Sequence, residues 1–202
     1  VAPHSLRAVT PAEICMLQEL AGEAPIHIHI AEQVREVEDC QAALGSTPVR
    51  WLLDNANVSG QWCLVHATHV TEAEVTGVAQ SEAVVGLCPI TEANLGDGIF
   101  PTKDFVDAGG RFGIGSDSNV RIDMPEELRL LEYGQRLTHQ ARNVLLSQDF
   151  TSNGRFLYQT AVAGGAQAMG VDAGLRPGAS ADFVTLDAKA LQPGQNVADS
   201  SL

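Results

Sequence analysis

The chain has 202 residues, 45% of them hydrophobic and 18% charged, which suits a folded core of one large or two small domains and excludes long disorder. Its formal net charge of −13 leaves no dense Lys/Arg footprint for a phosphate backbone, so no nucleic-acid partner is expected. No run approaches the roughly 20 apolar residues that cross a bilayer, and "VAPHSLRAVT" has no basic-then-apolar character, so no membrane partner is expected either.

Along the chain, short apolar runs alternate with amphipathic ones, the pattern of βαβ units and a parallel sheet covered by helices. "PAEICMLQELAGE" (11–23) predicts a helix with Thr10 as N-cap. The first strand candidate, "APIHIHIA" (24–31), is followed by a helix over 32–44 that Gly45 would stop, then by a helix at "TPVRWLLDNA". "WCLVHATH" (62–69) is the second strand candidate. Thr71 and Glu74 stand at capping-box spacing at the head of a helix over 71–81. "AVVGLCPI" (83–90) is the third strand, "PTKDFVDAGG" (101–110) a helix opened by Pro and closed by Gly, and "RFGIGSDS" (111–118) the fourth strand. Two long helical segments follow, "MPEELRLLEYGQRLTHQARNVLL" and "GRFLYQTAVAGGAQAMG". A Gly/Pro turn then leads into one alternating strand in "GLRPGASADFVTLD" (174–187), expected to belong to a different sheet, and into the polar tail "QPGQNVADSSL". The four cysteines are widely spaced with no CxxC, which predicts reduced thiols and a cytoplasmic location. A chain that opens on Val1 and reaches a functional-looking strand so soon is expected to be a fragment.

His29, His66 and Asp117 each fall near the C-terminal end of a separate candidate strand, and all are common zinc-ligand types. The C-terminal rim of a parallel α/β barrel is where catalytic groups gather, so the three are expected to converge. Each has a plainer explanation: a hydrogen-bonded core histidine for His29 or His66, a turn or cap for Asp117, a first-turn helix carboxylate for Glu32. Their joint occurrence favours a site. His27 shares a strand face with His29, but the step from His29 to Glu32 is the shorter one, which assigns His29 to the metal and Glu32 to proton transfer.

"HIHIAEQ", "LVHATHV", "GIGSDS" and "GLRPGASADFVTLD", in this order, resemble the metal-dependent amidohydrolase superfamily, deaminase branch. "APHSLRAV", "CPITEANLGDGIFP" and "PEELRLLEYGQR" look in addition like the formimidoylglutamate deiminases, which hydrolyse N-formimino-L-glutamate to N-formyl-L-glutamate and ammonia; other deaminases of the branch usually carry a Ser-Asn pair in place of "TEANLGDG". The resemblance implies an α/β fold comprising about strands 4–8 of a (β/α)8 TIM barrel over 1–170, and a return to a small β-sandwich over 171–202. It implies Zn2+, or another divalent metal such as Fe2+, bound by His29 and Asp117. Catalytic roles fall to Glu32, His66 and Asp117, and His4 and Arg7, an HxxR pair, would bind a small anionic substrate. A homo-oligomer, a dimer, is expected of the intact protein.

Two departures from the family pattern stand out. Asn119 and Arg121 occupy positions where a His and a smaller residue are expected, and the HxH pair of the first barrel strand has no counterpart, so the 202 residues alone are expected to be inactive. Two other functions remain open: a deaminase of the same branch acting on a nucleobase or nucleoside, and a non-catalytic half-barrel. A serine or cysteine hydrolase is disfavoured, because "GIGSDS" lacks the GxSxG elbow.

Overall fold

The computed structural model describes residues 1–147, 150–185 and 187. Helix α1 (Pro11–Ala21) opens with a capping box, in which the Thr10 hydroxyl accepts from the Glu13 N–H while the Glu13 carboxylate accepts from the Thr10 N–H. Strand β1 (Ile26–Ile30) follows, then α2 (Val34–Leu44), which ends on Gly45 in the left-handed conformation, and α3 (Pro48–Asn55). Next come β2 (Trp62–His66), α4 (Glu72–Gln80), capped by the expected Thr71/Glu74 box, and β3 (Val84–Leu87). Helices α5 (Pro89–Leu95) and α6 (Thr102–Asp107) lead to β4 (Arg111–Ile114), and α7 (Met124–His139) and α8 (Asn153–Met169) complete the order.

The four strands form one sheet in the order β1-β2-β3-β4, all parallel, as the alternating pattern predicts. Ile26, Ile28, Ile30, Trp62, Leu64, Val85, Leu87 and Phe112 point to one face and join helix residues such as Ile14, Leu52, Val75, Phe105, Leu128 and Phe156 in the main core. Ile30, Leu64, Val85 and Phe112 are fully sealed from solvent. The opposite face carries His27 and His29, both half-buried, alongside Cys63, Val65 and Val84. Helix α8 serves both faces: Phe156, Leu157 and Ala161 sit in the main core, and Ala168 packs with Cys63 and Val84. That path brings helix backbone against β4, where a Cβ on Gly164 would collide with the Phe112 carbonyl, so only glycine fits.

Two sequence expectations are corrected. The third strand stops at Leu87, and Pro89 begins a helix, because a ring-locked φ and a missing N–H suit the first turn of a helix better than a paired strand. The return strand expected over 174–187 is absent from the described residues of that span: none of those in 171–185 is helix or strand, and residues 180–185 are exposed. A strand takes its backbone hydrogen bonds from a neighbour, and no described strand lies beside this segment. The polar tail lies outside the described residues. Among the described residues, no helix is long and apolar enough to cross a membrane.

Candidate active site

The strand ends are held together by backbone bonds that continue the parallel ladder: Ala67 N–H donates to the Ile30 carbonyl (3.0 Å), His69 N–H to Ala31 (2.9 Å) and Gly115 N–H to Leu87 (3.0 Å). At this rim the backbone is strained. Ala31, His66, Ala67 and Asp117 adopt φ of 49°, 68°, 49° and 51°, a left-handed conformation that non-glycine residues adopt only where surrounding structure enforces it. The effect at His66 decides its role. In a regular strand His66 would follow Trp62 and Leu64 into the apolar core, and the left-handed turn redirects it to the rim.

His66 is fully buried and surrounded by three carboxylates. Its Nδ1 lies 3.1 Å from Glu92 Oε1, and its Nε2 lies 3.8 Å from both Glu32 Oε1 and Asp117 Oδ2. Those two contacts are too long for hydrogen bonds, and Nε2 is a buried polar atom without a partner. Burial, the largest single influence on this imidazole, opposes its charge, but the Glu92 hydrogen bond and the charges of Glu92, Glu32 and Asp117 outweigh it and raise the pKa. The ring stacks on His29 at 5.7 Å between centroids, and His29 in turn lies 5.0 Å from the His4 ring.

His29 is anchored by a single carbonyl. The His4 oxygen accepts from the His29 N–H at 2.9 Å and from its ring Nδ1 at 2.9 Å. A carbonyl only accepts, so the proton sits on Nδ1 and the Nε2 lone pair is available to a metal ion or an acid. Arg7 Nη2 reaches Glu32 Oε2 at 3.4 Å and Glu36 Oε2 at 4.0 Å, with 41% of the arginine side chain exposed. Glu36, almost wholly buried, also receives the Glu32 N–H at 2.9 Å and so holds the loop that presents Glu32. Asp117 accepts the Ser118 N–H at 2.6 Å through Oδ1, leaving Oδ2 turned toward His66.

The amidohydrolase family model matches residues 1–201. The chain belongs to the amidohydrolase family. A formimidoylglutamate deiminase of Pseudomonas aeruginosa is 56% identical over 186 residues, covering 91% of this chain and 41% of that protein. A 5-methylthioadenosine/S-adenosylhomocysteine deaminase of Pelotomaculum thermopropionicum is 33% identical over 195 residues, 92% of this chain and 43% of the relative. The crystal structure of an amidohydrolase from Brucella melitensis superposes with a TM-score of 0.92 at 56% identity, over 97% of this chain and 44% of that one. The chain thus spans less than half the length of each of these relatives.

Within this amidohydrolase, the residues singled out by sequence lie at one rim: His4, His29, Glu32, His66 and Asp117 are linked by the contacts above, and Arg7 joins them through Glu32. His27 stands apart, its Nε2 bonded to the Ala168 carbonyl at the end of α8 (2.8 Å), so it serves packing. Sequence reasoning did not single out Glu92 or Glu36. Applying to β3 the rule that found the other residues, polar groups just past a strand's C-terminal end, reaches "TEANLGDG" and with it Glu92. No comparable signal marks Glu36, one acidic residue among several in α2. Among the described residues, no group of three or more His, Cys, Asp or Glu is arranged to hold a metal ion.

Proposed function

We propose that these residues form the later strands of a TIM barrel, about strands 4–8, in a longer metal-dependent enzyme that hydrolyses N-formimino-L-glutamate to N-formyl-L-glutamate and ammonia. The observation that carries the reading is the unpartnered, buried Nε2 of His66 facing both Glu32 and Asp117. The 56% identity to a formimidoylglutamate deiminase supports the choice of substrate. In this reading residues 171–202 lead away from the barrel to a second unit, and the enzyme is a cytoplasmic homodimer.

A divalent metal suits two of the donors. His29 has Nε2 free because His4 holds Nδ1, and Asp117 has Oδ2 free; zinc is present in the crystal structure of an adenosine deaminase from Xanthomonas campestris that is 28% identical and superposes with a TM-score of 0.76 over 84% of this chain and 38% of that one. Two donors do not close a site, so the remaining ligands must come from residues other than these two. Bound there, the metal would bring a water's pKa toward neutrality.

The chain's own residues divide the remaining work. As the water oxygen bonds to the formimino carbon, Asp117 accepts its proton, and His66 stabilises the charge that develops at that centre. Glu32 relays to the departing nitrogen the two protons that the water gives up, the one first taken by Asp117 and the one lost as the carbon-bound hydroxyl becomes the formyl carbonyl, so that the C–N bond breaks with release of ammonia. Arg7 holds a substrate carboxylate with a charge-assisted pair of hydrogen bonds, exchanging its present contact with Glu32 for the ligand, and His4, whose ring lies against that of His29, adds a hydrogen bond.

The test is ammonia release by the full-length zinc-loaded protein from N-formimino-L-glutamate, adenosine, 5-methylthioadenosine and cytosine. Turnover of the formimino compound alone is expected. Turnover of a nucleoside or base instead transfers the site to the alternative deaminase function, and turnover of none supports the non-catalytic half-barrel. Arg7→Met should raise KM for N-formimino-L-glutamate by about 10-fold or more, the loss of one charge-assisted contact.

A further inference from the structure

We infer that Glu92 is the positioning residue for His66: it takes the Nδ1 proton of that ring and thereby aims Nε2 at the space between Glu32 and Asp117. The inference deepens the functional reading given above and rests on its assignment of His66 to the reacting centre. Glu92 lies in the first helical turns of α5 with a side chain 5% exposed, and its Oε1 accepts from the Cys88 N–H at 2.9 Å while meeting His66 Nδ1 at 3.1 Å. An oxygen already engaged by a backbone N–H cannot turn away from the ring. A carboxylate accepts only, so the ring nitrogen facing it must carry hydrogen, since the opposite tautomer would set a lone pair against the carboxylate.

The clamp is rigid because its own helix is tied down on two further sides. Glu127 Oε2 accepts the Ile90 N–H at 2.8 Å, and Thr91 Oγ1 donates to the Ser116 carbonyl at 3.3 Å, which joins α5 to α7 and to the loop that carries Asp117. Glu92 therefore connects three strand ends: His66 at the last position of β2, its own helix after β3, and, through its neighbour Thr91, the segment after β4. A plainer role exists, for the Cys88 bond alone would make Glu92 a cap for α5, whose N-cap residue Cys88 supplies no side-chain bond. That role would leave the His66 tautomer indifferent to Glu92.

The tautomer separates the two roles, and it is read by ring nitrogen NMR on the full chain with 15N-labelled histidine, in buffer made alkaline until the His66 signals no longer move with pH. His66 is identified among the 6 histidines by the signal that disappears in His66→Asn. The expected wild-type spectrum shows His66 protonated at Nδ1, and Glu92→Leu shifts it to the Nε2-protonated form that free imidazole side chains prefer. A wild-type ring protonated at Nε2 overturns the inference, as does a folded Glu92→Leu chain that keeps the proton on Nδ1. Should Glu92→Leu fail to fold, the wild-type spectrum decides alone. The measurement needs neither substrate nor turnover, so its failure is distinct from failure of the proposed deimination.

Discussion

Buried carboxylates occur in two kinds of surroundings in this molecule. Glu74 is saturated: Oε1 accepts from the Arg50 N–H (2.9 Å) and the Thr47 hydroxyl, Oε2 from the Thr71 N–H (2.7 Å) and hydroxyl (2.8 Å). Glu132 likewise accepts the N–H groups of Val144 and Leu145 and the Arg136 guanidinium. At the strand-end rim, by contrast, Glu36 Oε1, His66 Nε2, Thr68 Oγ1, His69 Nε2 and Asp97 Oδ2 are buried and without partners. An unsatisfied buried polar group costs about 1–3 kcal/mol, so the rim gives up stability that the Glu74 and Glu132 regions retain. The saturated carboxylates fix loops and helix starts, and the unsaturated groups stay available to a ligand.

The comparison can be broken most directly at Glu74. Glu74→Ala removes a capping box and strands the Arg50 and Thr71 N–H groups, and should lower unfolding free energy by about 3 kcal/mol in urea titration. A loss below about 1 kcal/mol would mean that saturation contributes little here. Next in size, Glu32→Gln in the full-length protein should cut turnover by about 10²-fold while metal content and melting temperature stay near wild type. A fall in melting temperature matching that of Glu74→Ala would place the rim in the same structural class.

The smallest effect sharpens the contrast. Burial pushes the Glu127 carboxyl upward, the Ile90 N–H opposes this, and the charges of Glu92 and Asp123 add to it. A folded-state pKa above the unfolded one gives stability that is fully present below the ordinary carboxylate value of about 4.3 and is lost as pH rises through the raised value. Glu127→Gln should abolish that dependence, so that the variant gains on wild type between acid and neutral pH, by about 1 kcal/mol or less. Parallel stability–pH curves for the two proteins would contradict this.

The features legible in the sequence were those written locally. The Thr10 N-cap, the Thr71/Glu74 capping box, the Gly45 stop and the four parallel strands follow from spacing and punctuation within short windows. The convergence of His29, His66 and Asp117 was legible because parallel strands put their C-terminal ends on one side. Other features depend on what the chain meets in three dimensions. Whether "ASADFVTLD" becomes a strand depends on a neighbour to pair with, and its alternation cannot supply one. The burial of Glu92 and its bond to His66 arise from the packing of α5 against the ends of β2 and β4, across 26 residues of sequence. The left-handed φ of His66 is equally invisible in "LVHATH", yet without it the same histidine would point into the main core.

Residues 1–4 extend the hydrogen bonding of the sheet beyond β1. A strand at the margin of a sheet presents a row of free N–H and C=O groups, a template on which another chain can build. On β1 that row is occupied: the Val1 carbonyl takes the His27 N–H at 3.0 Å and the His4 carbonyl takes the His29 N–H at 2.9 Å. The same short segment that steadies the His29 ring therefore also occupies the outer side of β1, so a change in its backbone path would disturb a candidate metal ligand and the sheet together.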